Sequence, residues 1–238
     1  KGLANGKFKN YKKAISCYDK ATKLNPKNEN AWFWKGDSYH NIKNYKKAIA
    51  CYDKFLKINP KDSDTWTEKG LSYRKLNDNK KAIACYDKAT KLNPKNENAW
   101  FGKGWANDDL GNHKKAIVCF DKVTEINPKW DGAWLNKGWV YSKLGNPKQA
   151  IIYYKKAIKI NPKYSMAHNN MGFSLFLQKK YKDALVYANK ATKFDKNNAD
   201  AYATKCVILY ELKKYPQALA AGEKSVKMGV KDKDTSDC

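Results

Sequence analysis

The sequence predicts an all-α fold, an α-solenoid of about seven 34-residue helix–turn–helix units. Three columns of residues carry the prediction. Pro26, Pro60, Pro94, Pro128 and Pro162 recur at an interval of 34 residues, as do Trp32, Trp66, Trp100 and Trp134. Gly2, Gly36, Gly70, Gly104, Gly138 and Gly172 keep the same interval. A chain that repeats one unit in this way is a stack, in which each unit buries its apolar face against its neighbours. A stack works through a surface rather than a closed pocket, which points to binding and away from catalysis.

Residues 29–62 serve as the type unit. Ala31, Trp32, Lys35, Gly36, Tyr39 and Ile42 recur at helical spacing and predict a first helix, with Asn28 placed to cap its start. A short break follows at Lys43 and Asn44. A second period through Tyr45, Ala48, Ile49, Tyr52, Phe55, Leu56 and Ile58 predicts a second helix. It stops at Asn59–Pro60, because proline lacks an amide donor and disfavours the helical region for the residue before it. Gly36 and Ala48 allow the two helices to approach, while Trp32 and Tyr52 fill space between units. The same pattern divides the chain into a truncated repeat at 1–28, repeats at 29–62, 63–96, 97–130, 131–164 and 165–198, and a capping repeat at 199–232. A polar tail follows at 233–238. Ala14–Gly36 and Ala82–Gly104 differ only at Ser16/Ala84 and Trp34/Gly102, which points to duplication of a two-repeat block.

The pattern W-x2-K-G-x2-Y, then A-x3-Y, then P resembles the tetratricopeptide repeat. It reads Trp32, Gly36, Tyr39, Ala48, Tyr52 and Pro60, and again Trp66, Gly70, Tyr73, Ala82, Tyr86 and Pro94. The resemblance covers essentially the whole chain and implies a right-handed superhelix of helical hairpins. It leaves the partner unnamed, because the family hosts many. The chain departs from the family pattern just before the glycine. Lys1, Lys35, Lys69, Lys103, Lys137 and Lys205 replace the usual apolar residue, which only Met171 keeps. Their stems are expected to cover the core edge while the ammonium reaches water. Repeats 6 and 7 drift: His168 and Tyr202 replace tryptophan, Lys196 replaces proline and Cys206 replaces glycine. Terminal units of a solenoid are expected to differ in this way.

At about 100° per residue, Trp32, Gly36 and Tyr39 form the core face of the first helix, and Asn30, Phe33, Asp37 and His40 form an adjacent arc. The resemblance implies that this second arc lines a concave groove. In repeats 2 and 3 the arc carries Asn30, Phe33, Asp37, His40, Asp64, Thr67, Leu71 and Arg74, which are mixed and partly acidic. In repeats 4 to 6 it carries Phe101, Trp105, Asp108, Asp109, Leu135, Trp139, Phe173 and Phe176, an aromatic half. Trp105 and Trp139 hold equivalent positions and are expected to stand side by side, open to the groove. A partner side chain buried between them would gain roughly 1.5–3 kcal/mol. For Phe173 and Phe176, packing against neighbouring helices is an equal reading. Some family members hold a partner's C-terminal carboxylate with lysine and asparagine on this arc. Phe33, Asp37, Phe101, Trp105, Leu135 and Trp139 occupy those places, so no such clamp is expected. Asp108 and Asp109 diverge on a helix, which makes them a poor acid–base pair but suits them to a basic group on a partner.

The net charge is +25, carried almost entirely by lysine, with Arg74 the only arginine. Lysine attracts anions without the bidentate fork that suits base and phosphate recognition. Together with abundant asparagine, the lysines read more readily as the coding bias of an AT-rich genome than as a nucleic-acid footprint. The pairs Lys12–Lys13, Lys46–Lys47, Lys80–Lys81 and Lys114–Lys115, and the aspartates Asp19, Asp53, Asp87 and Asp121, are expected on a solvated convex face. Cys17, Cys51, Cys85 and Cys119 lie 34 apart. Equivalent positions in adjacent units are separated by roughly 8–10 Å or more, beyond the Cα reach of about 7 Å for a disulfide. They are expected to be free thiols, and their spacing fits no zinc pattern. No phosphate loop, nucleophile elbow or zinc-protease signature occurs, so no catalytic residue, metal or cofactor is expected. His113 and His168 stand in tyrosine and tryptophan columns as packing substitutes, and His40 offers a polar contact on the groove arc. No run is long enough for a membrane span, and Lys1–Asn10 lacks the apolar core of a signal peptide. Free thiols suit a cytoplasmic setting.

These features lead to the expectation of a non-enzymatic scaffold or adaptor. Its partner would be a protein or peptide with apolar anchors and some positive charge, nucleic acid being disfavoured. One alternative is anion binding, of nucleic acid or acidic lipid, through the convex lysines. Another is self-association through open solenoid ends, where Leu3 and Phe8 of the truncated hairpin lack cover. The repeat register also leaves room for a larger enzyme or regulator of which this is one segment.

Overall fold

The computed structural model describes residues 10–234. Expectations resting on Lys1, Gly2, Leu3 and Phe8, and on the end of the polar tail, lie outside the described residues. Thirteen α-helices and no strand occur among the described residues: α1 (Tyr11–Leu24), α2 (Glu29–Asn41), α3 (Tyr45–Ile58), α4 (Ser63–Lys75), α5 (Asn79–Leu92), α6 (Glu97–Asp109), α7 (His113–Ile126), α8 (Asp131–Lys143), α9 (Pro147–Ile160), α10 (Ser165–Leu177), α11 (Tyr181–Phe194), α12 (Ala199–Glu211) and α13 (Tyr215–Asp234). They form two compact units, one ending at Ile126 and one beginning at Asn127.

Each unit is built from helical hairpins. In the first, α2 packs on α3, α4 on α5 and α6 on α7; in the second, α8 packs on α9, α10 on α11 and α12 on α13. Within each unit, second helices meet the first helix of the following hairpin. First helices of successive hairpins also touch: α2 with α4 and α4 with α6 in the first unit, α8 with α10 and α10 with α12 in the second. The fold is an all-α helical-repeat solenoid, and its first helices share one face in each unit.

The proline and tryptophan columns are two halves of one hydrogen bond. The indole N–H of Trp32 donates to the Pro26 carbonyl at 2.9 Å, Trp66 to Pro60 at 3.0 Å, Trp100 to Pro94 at 2.9 Å and Trp134 to Pro128 at 2.9 Å. A loop carbonyl freed by the helix stop finds its donor in the first turn of the next helix. His168 Nε2 lies 2.9 Å from the Pro162 carbonyl. This histidine is therefore more than a packing substitute; it keeps the bond that tryptophan makes elsewhere.

The glycine column answers the aromatic column of the second helix. A Cβ on Gly36, Gly70, Gly104 or Gly138 would lie 2.6–2.8 Å from a ring carbon of Tyr52, Tyr86, Phe120 or Tyr154. Those four rings are at most 1 % exposed. The lysines preceding the glycines depart from expectation. Lys35 Nζ lies 2.7 Å from Asp19, Lys69 Nζ 2.6 Å from Asp53 and Lys103 Nζ 2.6 Å from Asp87. Each ammonium also lies 4.6–4.8 Å from the ring centroid of Trp32, Trp66 or Trp100. The ammonium is thus turned to an aspartate of the preceding hairpin and an indole of its own, contacts an apolar residue at this position could not make. Each cation–π contact contributes about 0.5–1 kcal/mol, and these aspartates are not simply solvated.

The tight turns inside the hairpins need a left-handed residue. Lys43, Asn77, Lys179 and Lys213 adopt φ near +60°, while Gly111 and Gly145 adopt +74° and +71°. A Cβ on Gly111 would meet nothing within 4 Å, so a change there tests backbone conformation alone. Gly111→Ala is expected to lower stability by about 1 kcal/mol. Lys179→Gly is expected to raise it by a smaller amount, because glycine also loosens the unfolded chain. Thermal unfolding of both variants reads the two signs.

Cys17, Cys51, Cys85, Cys119 and Cys206 are free thiols. Burial pushes the thiols of Cys51, Cys85 and Cys119 up to about 11, so they stay protonated and unreactive near neutral pH. No helix among the described residues is long and apolar enough to cross a membrane. α13 continues to Asp234, into the polar tail.

Candidate functional site

In the first unit the arc runs over α2, α4 and α6, and its rings are less open than expected. Phe33 lies against Tyr52 and Phe55, with ring centroids 6.0 and 5.8 Å away. Phe101 lies edge-on to Phe120 at 5.7 Å. Trp105, expected to be open to the groove, is half-buried: its ring meets Phe120 edge-on at 6.5 Å, and the Arg74 guanidinium lies 5.7 Å from its centroid. Arg74 Nη1 is also 3.5 Å from Asp109 Oδ2. The basic group that Asp109 was expected to find on a partner is thus supplied within the chain. Leu71 is half-buried on α4.

Asp108 leaves the candidate surface. It is 3 % exposed, and its Oδ1 lies 2.8 Å from His113 Nδ1, which ties the end of α6 to the start of α7. Neither residue plays the part expected of it, since Asp108 is out of a partner's reach and His113 makes a polar bond. His40 Nδ1 lies 2.8 Å from Ser72 Oγ, joining α2 to α4, and its ring meets Tyr45 at 5.1 Å. Burial, and then Lys75, push its pKa down, so it is neutral near pH 7.

Acidic groups occupy the middle of this face. Burial pushes the Asp37 carboxyl up, partly offset by a hydrogen bond from Asn41. Glu68, not singled out by the sequence, is pushed up by burial and then by Asp37 and Asp64. Asn96 is buried and its Nδ2 donates to Asp64 Oδ1 at 3.0 Å.

The second unit presents a different face over α8, α10 and α12. Trp139 is 40 % exposed, Phe173 42 % and Val207 42 %, one residue at the same register on each first helix. Leu177 and Tyr210 are exposed beside them. Phe173 stacks on Phe176 with centroids 6.1 Å apart, and Phe176 tilts against Tyr181 at 5.6 Å. Of the two readings of these phenylalanines, exposure fits Phe173, while Phe176 is half-buried between its neighbours. Leu135 is corrected: it is 2 % exposed and belongs to the core around Tyr154, Met171 and Ile208. It supports the face from below. Val207, Leu177 and Tyr210 were missed. The register Trp105, Trp139, Phe173, Val207 could have revealed Val207, but repeat 7 has lost its tryptophan and glycine landmarks.

The two faces differ in chemistry. The first unit offers carboxyls beside half-buried rings, and the second offers an apolar ridge. Among the described residues no group of histidine, cysteine, aspartate or glutamate could hold a metal ion.

Comparison with known proteins follows the repeats. Family profiles described as tetratricopeptide repeat match residues 67–129, 132–164 and 153–186. A profile described as anaphase-promoting complex, cyclosome, subunit 3 matches residues 7–89. No curated protein matches the sequence. Among solved structures, a tetratricopeptide repeat protein from Parabacteroides merdae aligns with a TM-score of 0.77 at 19 % identity, covering 96 % of this chain and 90 % of that one. MamA aligns with a TM-score of 0.65 at 26 % identity, covering 68 % and 95 %. YrrB, described as a tetratricopeptide repeat protein with an unusual peptide-binding site, aligns with a TM-score of 0.60 at 24 % identity, covering 74 % and 91 %.

Proposed function

The chain is a tetratricopeptide repeat protein, and on that premise we propose that it is a non-enzymatic scaffold that holds a peptide or helical segment of another protein on the face of its first helices. The observation that carries this reading is the ridge of Trp139, Phe173 and Val207, apolar, exposed and in register within one unit. A contiguous apolar patch on a protein surface marks an interaction site more often than chance. Large rings on it are the side chains that dominate binding energy when a partner desolvates them. The description of YrrB as peptide-binding supports this use of the fold.

Apolar anchoring has a distinct signature. Burial of rings is tolerant of salt, whereas lysines on phosphates or acidic lipid release counterions and lose affinity steeply as salt rises. The test is capture from a lysate by the intact chain and by the Trp139→Ala/Phe173→Ala variant, eluted in rising salt. A protein held at high salt by the intact chain and lost from the variant is the expected result. Nucleic acid or lipid held equally by both, and stripped by salt, would replace this reading with the lysine surface.

A further inference from the structure

The first unit carries a feature that the apolar ridge does not explain. Asp37 on α2 and Glu68 on α4 are carboxyls on two touching helices, in a chain of net charge +25, and Asp64 stands one turn before Glu68 on α4. Their bonded partners are neutral: Asn41 Nδ2 donates to Asp37 Oδ2 at 3.1 Å, and Asn96 Nδ2 to Asp64 Oδ1 at 3.0 Å. None of the ion pairs found among the described residues uses these carboxyls. Lysines elsewhere in the same unit close onto Asp19, Asp53 and Asp87.

An independent observation points to the same two helices. Tyr52 on α3 is 0 % exposed, yet its hydroxyl has no hydrogen-bond partner. Its ring edge runs under Gly36, where a Cβ would lie 2.7 Å from it. Its ring thus lies against α2, and Glu68 of α4 and Asp37 of α2 are the charges that act most on the phenol. A buried hydroxyl left without a partner is costly, so an occupant that satisfies it gains more than the bond itself. The carboxyls and the phenol oxygen all accept hydrogen bonds. An ammonium offers three donors and no acceptor, on a flexible apolar stem that suits the adjoining rings.

We propose that Asp37, Glu68 and Tyr52, where α2 and α4 meet, form a pocket for one lysine side chain of a protein segment bound to the first unit. This rests on the scaffold reading above and adds to it the chemistry of an anchor within that unit. A metal ion is a poorer occupant, because the acidic groups do not cluster tightly enough to ligate one.

The test uses acetylated, amidated trilysine and its side-chain-acetylated counterpart as probes, with binding followed by fluorescence anisotropy near physiological salt. The intact chain should bind trilysine saturably. Glu68→Gln and acetylation of the probe should each weaken binding about tenfold or more. Asp183→Asn, at an exposed carboxylate on α11, should change nothing. Glu68→Gln keeps the side chain's shape and removes a buried like charge, so it should fold. Its melting point should exceed that of the unchanged chain near neutral pH. The Glu68 carboxyl is raised above its unfolded value, so its ionised form costs stability above the folded value and none below the unfolded one. The advantage of glutamine should therefore fade as the pH falls through that window. Equal trilysine affinity in the Glu68→Gln variant, or no saturable binding by the intact chain, would overturn the pocket. Trp139→Ala/Phe173→Ala should leave trilysine binding unchanged, so failure of the ridge and failure of the pocket are separable.

Discussion

Tyr154→Ala is expected to destabilise the second unit by about 3–5 kcal/mol, a large share of what holds a domain together. Tyr154 is 1 % exposed and lies in one core cluster with Leu135, Ala150, Ala157, Ala167 and Met171. Its ring fills the space left by Gly138, where even a Cβ would lie 2.6 Å from it. Gly138 and the alanines of this cluster offer little side chain to fill the vacated volume, so the cost within that range is set by how far Leu135 and Met171 relax into it. In a solenoid each hairpin is stable only through its neighbours, so loss of this ring should loosen α8 and α10 together. Chemical denaturation followed by circular dichroism should show a lower midpoint, and an unchanged midpoint would mean the ring is not a core residue.

The second large effect separates two residues on one helix. Trp139→Ala should weaken partner binding by about 2 kcal/mol, a factor of about 30, with helicity nearly unchanged. Leu135→Ala, one turn earlier, should instead cost about 2–5 kcal/mol of stability and affect binding only as the fold loosens. The contrast follows from exposure, 40 % for Trp139 against 2 % for Leu135. Titration of partner into both variants, beside their denaturation curves, checks it. Weak binding by a stable Leu135→Ala chain would place the contact surface elsewhere.

The hairpins were legible because their signals are local and repeated. Proline stops, asparagine caps and the glycine–aromatic contact recur at one interval, so each copy corroborates the others. The groove arc was legible as an angle on a helix, and its chemistry only in part. Leu135 lies on that arc but is buried in a core cluster with Tyr154 and Met171, so side chains on other helices decide its exposure. Trp105 was recognisable as a groove position, but its contact with Arg74, and that of Arg74 with Asp109, join residues of different hairpins. The lysines before the glycines looked like snorkelling stems. Their aspartate partners sit on the preceding hairpin, where helical periodicity assigns them to a solvated face. Glu68 stayed hidden because its column holds Trp34 and Gly102 in neighbouring repeats, so no pattern marks it.

The most direct test of the account is selection of peptides from a random library on the intact chain, with hydrogen exchange used to map where the winners bind. The account predicts peptides with aromatic or aliphatic anchors, bound through high salt, that protect amides of α8, α10 and α12. Acidic peptides released by salt, with protection on α9 and α11 instead, would contradict it and make the lysine surface the working part of the protein.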